Sequence, residues 1–590
     1  MLMCIGMVAM TEGLYPYRNE LRVLEGRRPK EGSRELPPEF AKVTTPLVVR
    51  EWRTSMSQHP DKWYATYIES GLREGFRIGF RYEDCVCTSV KANMHSAVTN
   101  SEVIDSYLGK ELSMGRVLGP LDPRVGAQMQ VSRFGVIPKN HQPGKWRLIL
   151  DLSHPAGASV NDGIERELCS LKYTSVDEAV QRFSELGKGA LLAKLDIESA
   201  YRLIPVHPDD RLLLGMSWKG NLYADASLPF GLRSAPKIFN AVADALMWIM
   251  GQQGTRAIHY LDDYLLFGAP NTPECQLALA RTLATCDRLG VPIAKHKTEG
   301  PACQLTFLGI ELDTQAGVVR LPPEKLMRLQ REIRGWSERK AGSKRELLSL
   351  IGQLQHACCV VKPGRSFLRR MISLSTVAKE LHHRIRLNVG FRSDLQWWAT
   401  FLQSWNGVSV TGPHPSQAWQ ATITSDASGN WGCGSFSSEG HWFQLQWPSS
   451  WATVHITVKE LLPIIVSIAL WGRSWHGSSV RCRCDNAAVV AIIRSGTCKD
   501  DLAMHLLRCL FFFVAAFDIK LWSVHIPGVC NGAADALSRD NHTSFLAQVP
   551  SARRQADVIP PEMLEVLVTR RPDWTSLSWT ELLKSISQKD

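Results

Sequence analysis

The chain has 590 residues, 44% of them hydrophobic and 21% charged, an ordinary globular composition that excludes a collagenous, disulfide-scaffold or wholly disordered protein. That length exceeds what one hydrophobic core organises and points to about three to five domain-sized units. The net charge of +11 is local: residues 314–395 hold 17 Lys and Arg against 6 Asp and Glu, and the remainder is close to neutral.

A basic band of this kind suits a polyanion, because each neutralised phosphate releases counterions, although a solvated helical face would read the same way. The 15 cysteines include close pairs at Cys85/Cys87 and Cys482/Cys484 but no CxxC spacing, so reduced thiols are expected rather than a zinc site. MLMCIGMVAM lacks a basic n-region and runs directly into Glu12, which argues against a signal peptide. LFFFVAAF, from Leu510, falls short of the roughly 20 residues a bilayer span needs. The expectation is an intracellular protein, nuclear or cytoplasmic, with no membrane anchor.

In chain order, residues 1–45 mix Pro, Gly and charge without periodicity and read as a largely disordered lead. Residues 46–119 hold amphipathic pieces such as VREWRTSMSQ and SEVIDSYLGKELSMG, the second of them helical in pattern, with no assignable activity. Over 120–313 the pattern shifts to short β-branched runs between turns: FGVIPK, KWRLILDL, ALLAKLDI, IHYLDDYLLF and LTFLGIEL read as strands of an α/β or α+β domain. Residues 314–410 return to helical period; PPEKLMRLQREIRGW opens on prolines and SKRELLSLIGQLQHACC on a Ser cap. After the TGPHPSQ linker, a second α/β domain over 411–542 carries ATITSDAS, GCGSFSS, the helix VKELLPIIVSIALWG, then VRCRCDN and KLWSVHIPG. The tail, 543–590, has an amphipathic piece around MLEVLV and no evident role.

YLDDYLLFG places two adjacent acids between apolar runs, the pattern of a hairpin that thrusts carboxylates out of a buried sheet. In ALLAKLDIESAYRLIPVHP, Asp196 ends an apolar strand and could face that hairpin. Phosphoryl transfer uses two divalent cations about 3.5–4 Å apart, with hard oxygen ligands, which suits Asp196, Asp262 and Asp263 and implies Mg²⁺.

Five strings in order resemble the motifs of retroelement reverse transcriptases: LDIESAY motif A, LPFGLRSAPKIF motif B, YLDD motif C, GVPIAKHKTE motif D and FLGIEL motif E. The resemblance implies a right-hand polymerase of fingers, palm and thumb with a ferredoxin-like palm. Tyr201 matches the family's steric gate, which excludes a 2'-hydroxyl. Phe230 and Gly231 lie where motif B meets the incoming nucleotide and template base; retroviral enzymes often have Gln at the position of Phe230, so this chain leans toward the wider retrotransposon group. VIPKNHQPGKWRLILDLSH resembles the fingers hairpin, with Lys139 and Arg147 as its triphosphate-gripping cations. Motif D supplies a lysine that protonates departing pyrophosphate; Lys297 fits, with Lys295 as the alternative.

In the C-terminal domain, Asp426, Glu460, Asp485 and Asp535 fall in ordered strand, helix, strand and helix contexts, and together they resemble the four-carboxylate site of RNase H. His525, Asn531 and Asp535 in HIPGVCNGAADALSR keep that family's intervals, with His525 expected to help mobilise the leaving group or metal. Ala427 stands where the family often has glycine, which puts the local backbone in question. The resemblance implies an RNase H-like α/β domain using two Mg²⁺ ions, with Mn²⁺ as a possible substitute, to cut RNA in an RNA–DNA hybrid.

This order of parts implies a hybrid held across the basic band as thumb and connection, bound through A-form geometry. RNA template, DNA primer and deoxynucleoside triphosphates would be the other partners. IGQLQHACCVVKPGRSFLRRM, EGFRIGF, NMHSAVTN and KELSMGRVLGP further resemble DIRS-like retrotransposons, including the Ngaro type, which use a separately encoded tyrosine recombinase. The competing reading is a decayed or domesticated element protein that binds nucleic acid without catalysis; seven intact carboxylates stand against it.

Overall fold

The computed structural model describes residues 17–29, 36, 38–82, 92–139, 144, 146–404, 406–409, 419–517 and 519–568. MLMCIGMVAM, the Cys85/Cys87 pair and the TGPHPSQ linker lie outside them. The chain divides into two compact units, one of Met1–Leu308 with Thr314–Ala316 and the other of Gly309–Asp313 with Gly317–Asp590.

The first unit is built on a four-stranded antiparallel sheet in which Arg256–Tyr260, Asp263–Gly268, Leu191–Asp196 and Glu299–Ala302 are neighbours in that order. With the helices Ala235–Gln252 and Glu274–Leu289 between strands, the sequence order is β-α-β-β-α-β, the ferredoxin-like arrangement. Apolar runs make these strands because the sheet is buried: Leu192, Ala193, Leu195, Tyr264, Leu265 and Leu266 are all inaccessible to solvent. A second sheet orders Val117–Leu121, Asn221–Asp225, Gly215–Trp218, Val131–Pro138 and Trp146–Asp151, the last two forming the hairpin expected from the sequence.

The reading of residues 1–45 as a disordered lead is corrected for its described part. Arg18–Gly26 is a helix whose Leu21 and Leu24 enter the main core, and Arg27 pairs with Glu165. Long-range contacts hold it, and a local pattern cannot display those.

The second unit combines the basic helices with the C-terminal α/β domain. Pro323–Glu338 is followed by Lys344–Ala357, which starts in a reciprocal capping box of Ser343 and Glu346. The domain's sheet orders Trp442–Gln446, Gly432–Ser437, Ala421–Ala427, Ser479–Cys484 and Lys520–His525. The first three strands are antiparallel and the last two parallel to the central one, against helices Ile456–Trp471 and Asp501–Ala516. The domain also runs past residue 542, where its end was expected: Trp442 Nε1 donates to the Arg553 carbonyl at 2.8 Å, and Met563 and Leu567 join its core. Among the described residues no helix is long and apolar enough to cross a membrane.

Candidate active sites

The strand register sets the first site. Asp196 lies directly opposite Asp263 across the antiparallel pair, and Tyr260 opposes Asp263 from the other side. The tight turn between them puts Leu261 at φ +54°, and across the cleft Ser199 sits at φ +60°. Left-handed backbone costs a side-chain-bearing residue about 1–2 kcal/mol, and such residues cluster where function over-determines geometry. A cleft of about 240 Å³ opens here, lined by Asp196, Glu198, Tyr201, Phe230, Asp262 and Lys297 among others.

Burial, then the charge of Asp196, raises the Asp262 carboxyl above its ordinary value. Burial and the two neighbouring acids push Asp263 up to about 6. Lys297 Nζ donates to both oxygens of Asp196 at 2.9 and 3.0 Å, and that hydrogen bond raises the lysine. One ammonium leaves three crowded carboxylates with excess negative charge. That donor set, hard oxygens whose repulsion a cation would relieve, fits divalent Mg²⁺.

Tyr201 is half-buried in the 3₁₀ turn Ala200–Leu203, edge-on to Phe230 and Phe239 at 5.4 Å each. Phe230 is 56% exposed at the cleft mouth. Gly231 has φ +92°, and a Cβ there would stand 3.2 Å from the Leu150 carbonyl oxygen, so the position favours glycine. Lys139 and Arg147 are exposed on the hairpin and do not line this cleft. Of the two motif D lysines, Lys297 is the one that lines it.

In the second site, Asp426 is the penultimate residue of its strand at 6% exposure; its Oδ1 accepts from Asn531 Nδ2 at 3.0 Å and its Oδ2 from Ser538 Oγ at 2.6 Å. Burial, with Asp485 and Asp535 nearby, pushes Asp426 up to about 6. Glu460, in the first turns of its helix, is pushed up to about 9 by burial and then by Asp426 and Asp485. Ligand atoms of Glu460, Cys484 and Asp485 lie within 4.8 Å of one another. The four acids thus influence one another electrostatically, and their donor set again fits a hard divalent cation. Asp535 accepts from Arg539 Nε at 2.7 Å. His525 Nε2 donates to the Asp485 carbonyl at 3.0 Å. Ala427 continues the strand, paired with Cys433, so the missing glycine leaves regular backbone.

Sequence reasoning passed over several supports. Asn161 donates to the Gly231 carbonyl at 2.9 Å and accepts from the Arg233 amide at 2.8 Å, bracing the motif B loop. Arg202, 3% exposed beside Tyr201, pairs with Asp225 at 2.7 Å and Glu111 at 2.9 Å. An arginine inside the apolar run AYRLIPV was the available signal, since a buried cation requires partners. Ser538, three residues after Asp535 on one helix, was detectable from helical spacing.

Residues 137–312 match the family described as reverse transcriptase (RNA-dependent DNA polymerase). The genome polyprotein of Petunia vein clearing virus (isolate Shepherd) is 28% identical over 129 residues, 22% of this chain and 6% of that protein. The retrovirus-related Pol polyprotein from transposon gypsy of Drosophila melanogaster is 34% identical over 147 residues, 25% of this chain and 14% of that one. The chain therefore spans only 6% and 14% of the lengths of these relatives. The foamy viral protease-reverse transcriptase, solved in complex with RNA/DNA hybrid, aligns with a TM-score of 0.45 at 14% identity, over 82% of this chain and 64% of that one. Residues 137–312 are a reverse transcriptase domain of the kind found in retrotransposon and retroviral-type Pol polyproteins.

Proposed function

We propose that the chain is an RNA-directed DNA polymerase with ribonuclease H activity, copying retrotransposon RNA into DNA and degrading the RNA strand of the resulting hybrid. The observation that carries the reading is the meeting of Asp196, Asp262, Tyr201 and Lys297 in one cleft, with Asp263 paired behind Asp196. Asp196, Asp262 and Asp263 would hold two Mg²⁺ ions, as would Asp426, Glu460, Asp485 and Asp535, and bound Mg²⁺ would activate the attacking hydroxyl or water and stabilise the leaving oxygen.

The chain's own side chains divide the remaining work. The Tyr201 ring, fixed by Phe239 and Phe230, blocks the space a 2'-hydroxyl would take and so selects deoxynucleotides. Lys297 Nζ holds a proton for departing pyrophosphate while neutralising Asp196. Lys139 and Arg147 grip the triphosphate from the fingers hairpin, with Phe230 and Gly231 beneath the nascent base pair. In the second site, His525 helps mobilise the leaving group or the metal.

The ribonuclease assignment draws support from the sheet order, three antiparallel strands continued by two parallel ones, and from the convergence of four acids at Asp426. The segments from EGFRIGF to IGQLQHACCVVKPGRSFLRRM support a DIRS-like, Ngaro-type source with a separately encoded tyrosine recombinase. An adjacent recombinase gene in the genomic neighbourhood is the expected finding; its absence counts against the subtype. Hybrid cleavage tests the second site: the wild type cuts the RNA strand with Mg²⁺ and Asp426→Asn does not, whereas an uncut hybrid with the wild type refutes the assignment.

A further inference from the structure

The turn that carries Asp262 and Asp263 is tied back to the helix Ala235–Gln252 through a histidine that does not line the cleft. His259, 9% exposed on the strand Arg256–Tyr260, has Nε2 2.8 Å from Asp244 Oδ1 and Nδ1 3.2 Å from the Leu261 carbonyl oxygen. A carbonyl only accepts, so Nδ1 carries a proton. Asp244 Oδ2 accepts from Asn240 Nδ2 at 2.9 Å, and the same amide donates to the Tyr17 hydroxyl at 2.9 Å. Asp244 Oδ1 and His259 Nε2 share a proton across their 2.8 Å contact, and Asp244 Oδ2 is held by Asn240.

Tyr264 fixes the plane of the ring, stacked at 5.3 Å, with its own hydroxyl donating to the Ala243 carbonyl at 3.3 Å. Leu261 is the left-handed residue of the turn, so its conformation requires outside support. His259 holds its carbonyl. The next carbonyl, that of Asp262, accepts from the Ile197 amide at 3.0 Å, which ties the turn to the Asp196 strand.

We infer that His259 is a positioning residue for the polymerase site: clamped between Asp244 and the Leu261 carbonyl, it fixes the turn that aims Asp262 and Asp263. The inference rests on the polymerase reading of the cleft. Partners that orient metal-binding groups typically change metal affinity or activity by about 10- to 100-fold when removed.

The test compares the full chain with His259→Leu, His259→Gln, Asp244→Asn and the Asp244→Asn/His259→Leu double variant. Mn²⁺ affinity is read by electron paramagnetic resonance without nucleotide, and kcat and KM for deoxynucleotide by primer extension. His259→Leu is expected to weaken Mn²⁺ binding and lower kcat by about 10-fold or more with little change in KM. His259→Gln, which keeps one donor for Leu261, recovers most of the loss. The double variant is expected to be no worse than His259→Leu, because the two residues act as one unit. Wild-type Mn²⁺ affinity and kcat in His259→Leu, or losses that multiply in the double variant, overturn the inference. Should the Leu variant fail to fold, ¹⁵N spectra of the wild-type imidazole decide: a protonated Nδ1 at neutral pH supports the clamp, and a bare Nδ1 overturns it. A wild type that extends no primer refutes the polymerase reading instead, while the Mn²⁺ and ¹⁵N results still judge His259.

Discussion

Asp263 shows how one residue records the demands of its site. Burial and two neighbouring acids raise its carboxyl to about 6. A raised folded value means the native state holds a proton the unfolded chain has released, so this contribution to stability is present below about 4 and lost as pH rises through about 6. Without divalent cations, Asp263→Asn should therefore be more stable than wild type at pH 7–8, on the order of 1 kcal/mol after allowing for partial exposure, with the difference vanishing near pH 4. Denaturant midpoints measured with a chelator across that range check this; an equal midpoint at every pH would contradict it. The residues that line the cleft were legible where a motif carried them, as at Asp196 and Asp262. They were illegible at Asn161 and His259, whose importance lies in hydrogen bonds to backbone far along the chain or across a turn.

Among the elements, the strands around Asp196 and Asp263 could be read directly because continuous apolar runs are what a sheet buried on both faces requires. The helix at Lys344 announced itself through Ser343, and Glu346 completes its cap. The helix Arg18–Gly26 did not, since RNELRVLEG offers only Leu21 and Leu24 to the core and relies on partners elsewhere. The tail was equally opaque, because Met563 and Leu567 matter only once the domain exists to receive them. Where elements meet, Arg202 joins the motif A turn to Glu111 on the helix Ser101–Ser113 and to Asp225 on its strand. Arg202→Met strands two buried acids, and a loss of about 3–5 kcal/mol is expected in chemical denaturation. A loss below 1 kcal/mol would show that the network is relaxed without its cation.

At the scale of the molecule, the two acid clusters lie in different compact units, so their activities should separate. Asp262→Asn is expected to retain hybrid cleavage, and Asp426→Asn to retain primer extension; loss of both activities in either variant would contradict separate sites. The basic band gives a further expectation. Arg331 and Arg334 are exposed on the helix Pro323–Glu338, and replacing each with Ala should weaken hybrid binding uniformly across sequences and lower the salt slope by about 1. An unchanged slope would return that helix face to a merely solvated role.

If Asp196, Asp262 and Asp263 form a polymerase site, extension of a DNA primer on an RNA template is the reaction that reveals it. Wild-type protein with Mg²⁺ and deoxynucleotides is predicted to extend the primer, and Asp262→Asn to lose extension while remaining folded. No extension by the wild type, or undiminished extension by Asp262→Asn, would show that these acids do not form a polymerase site.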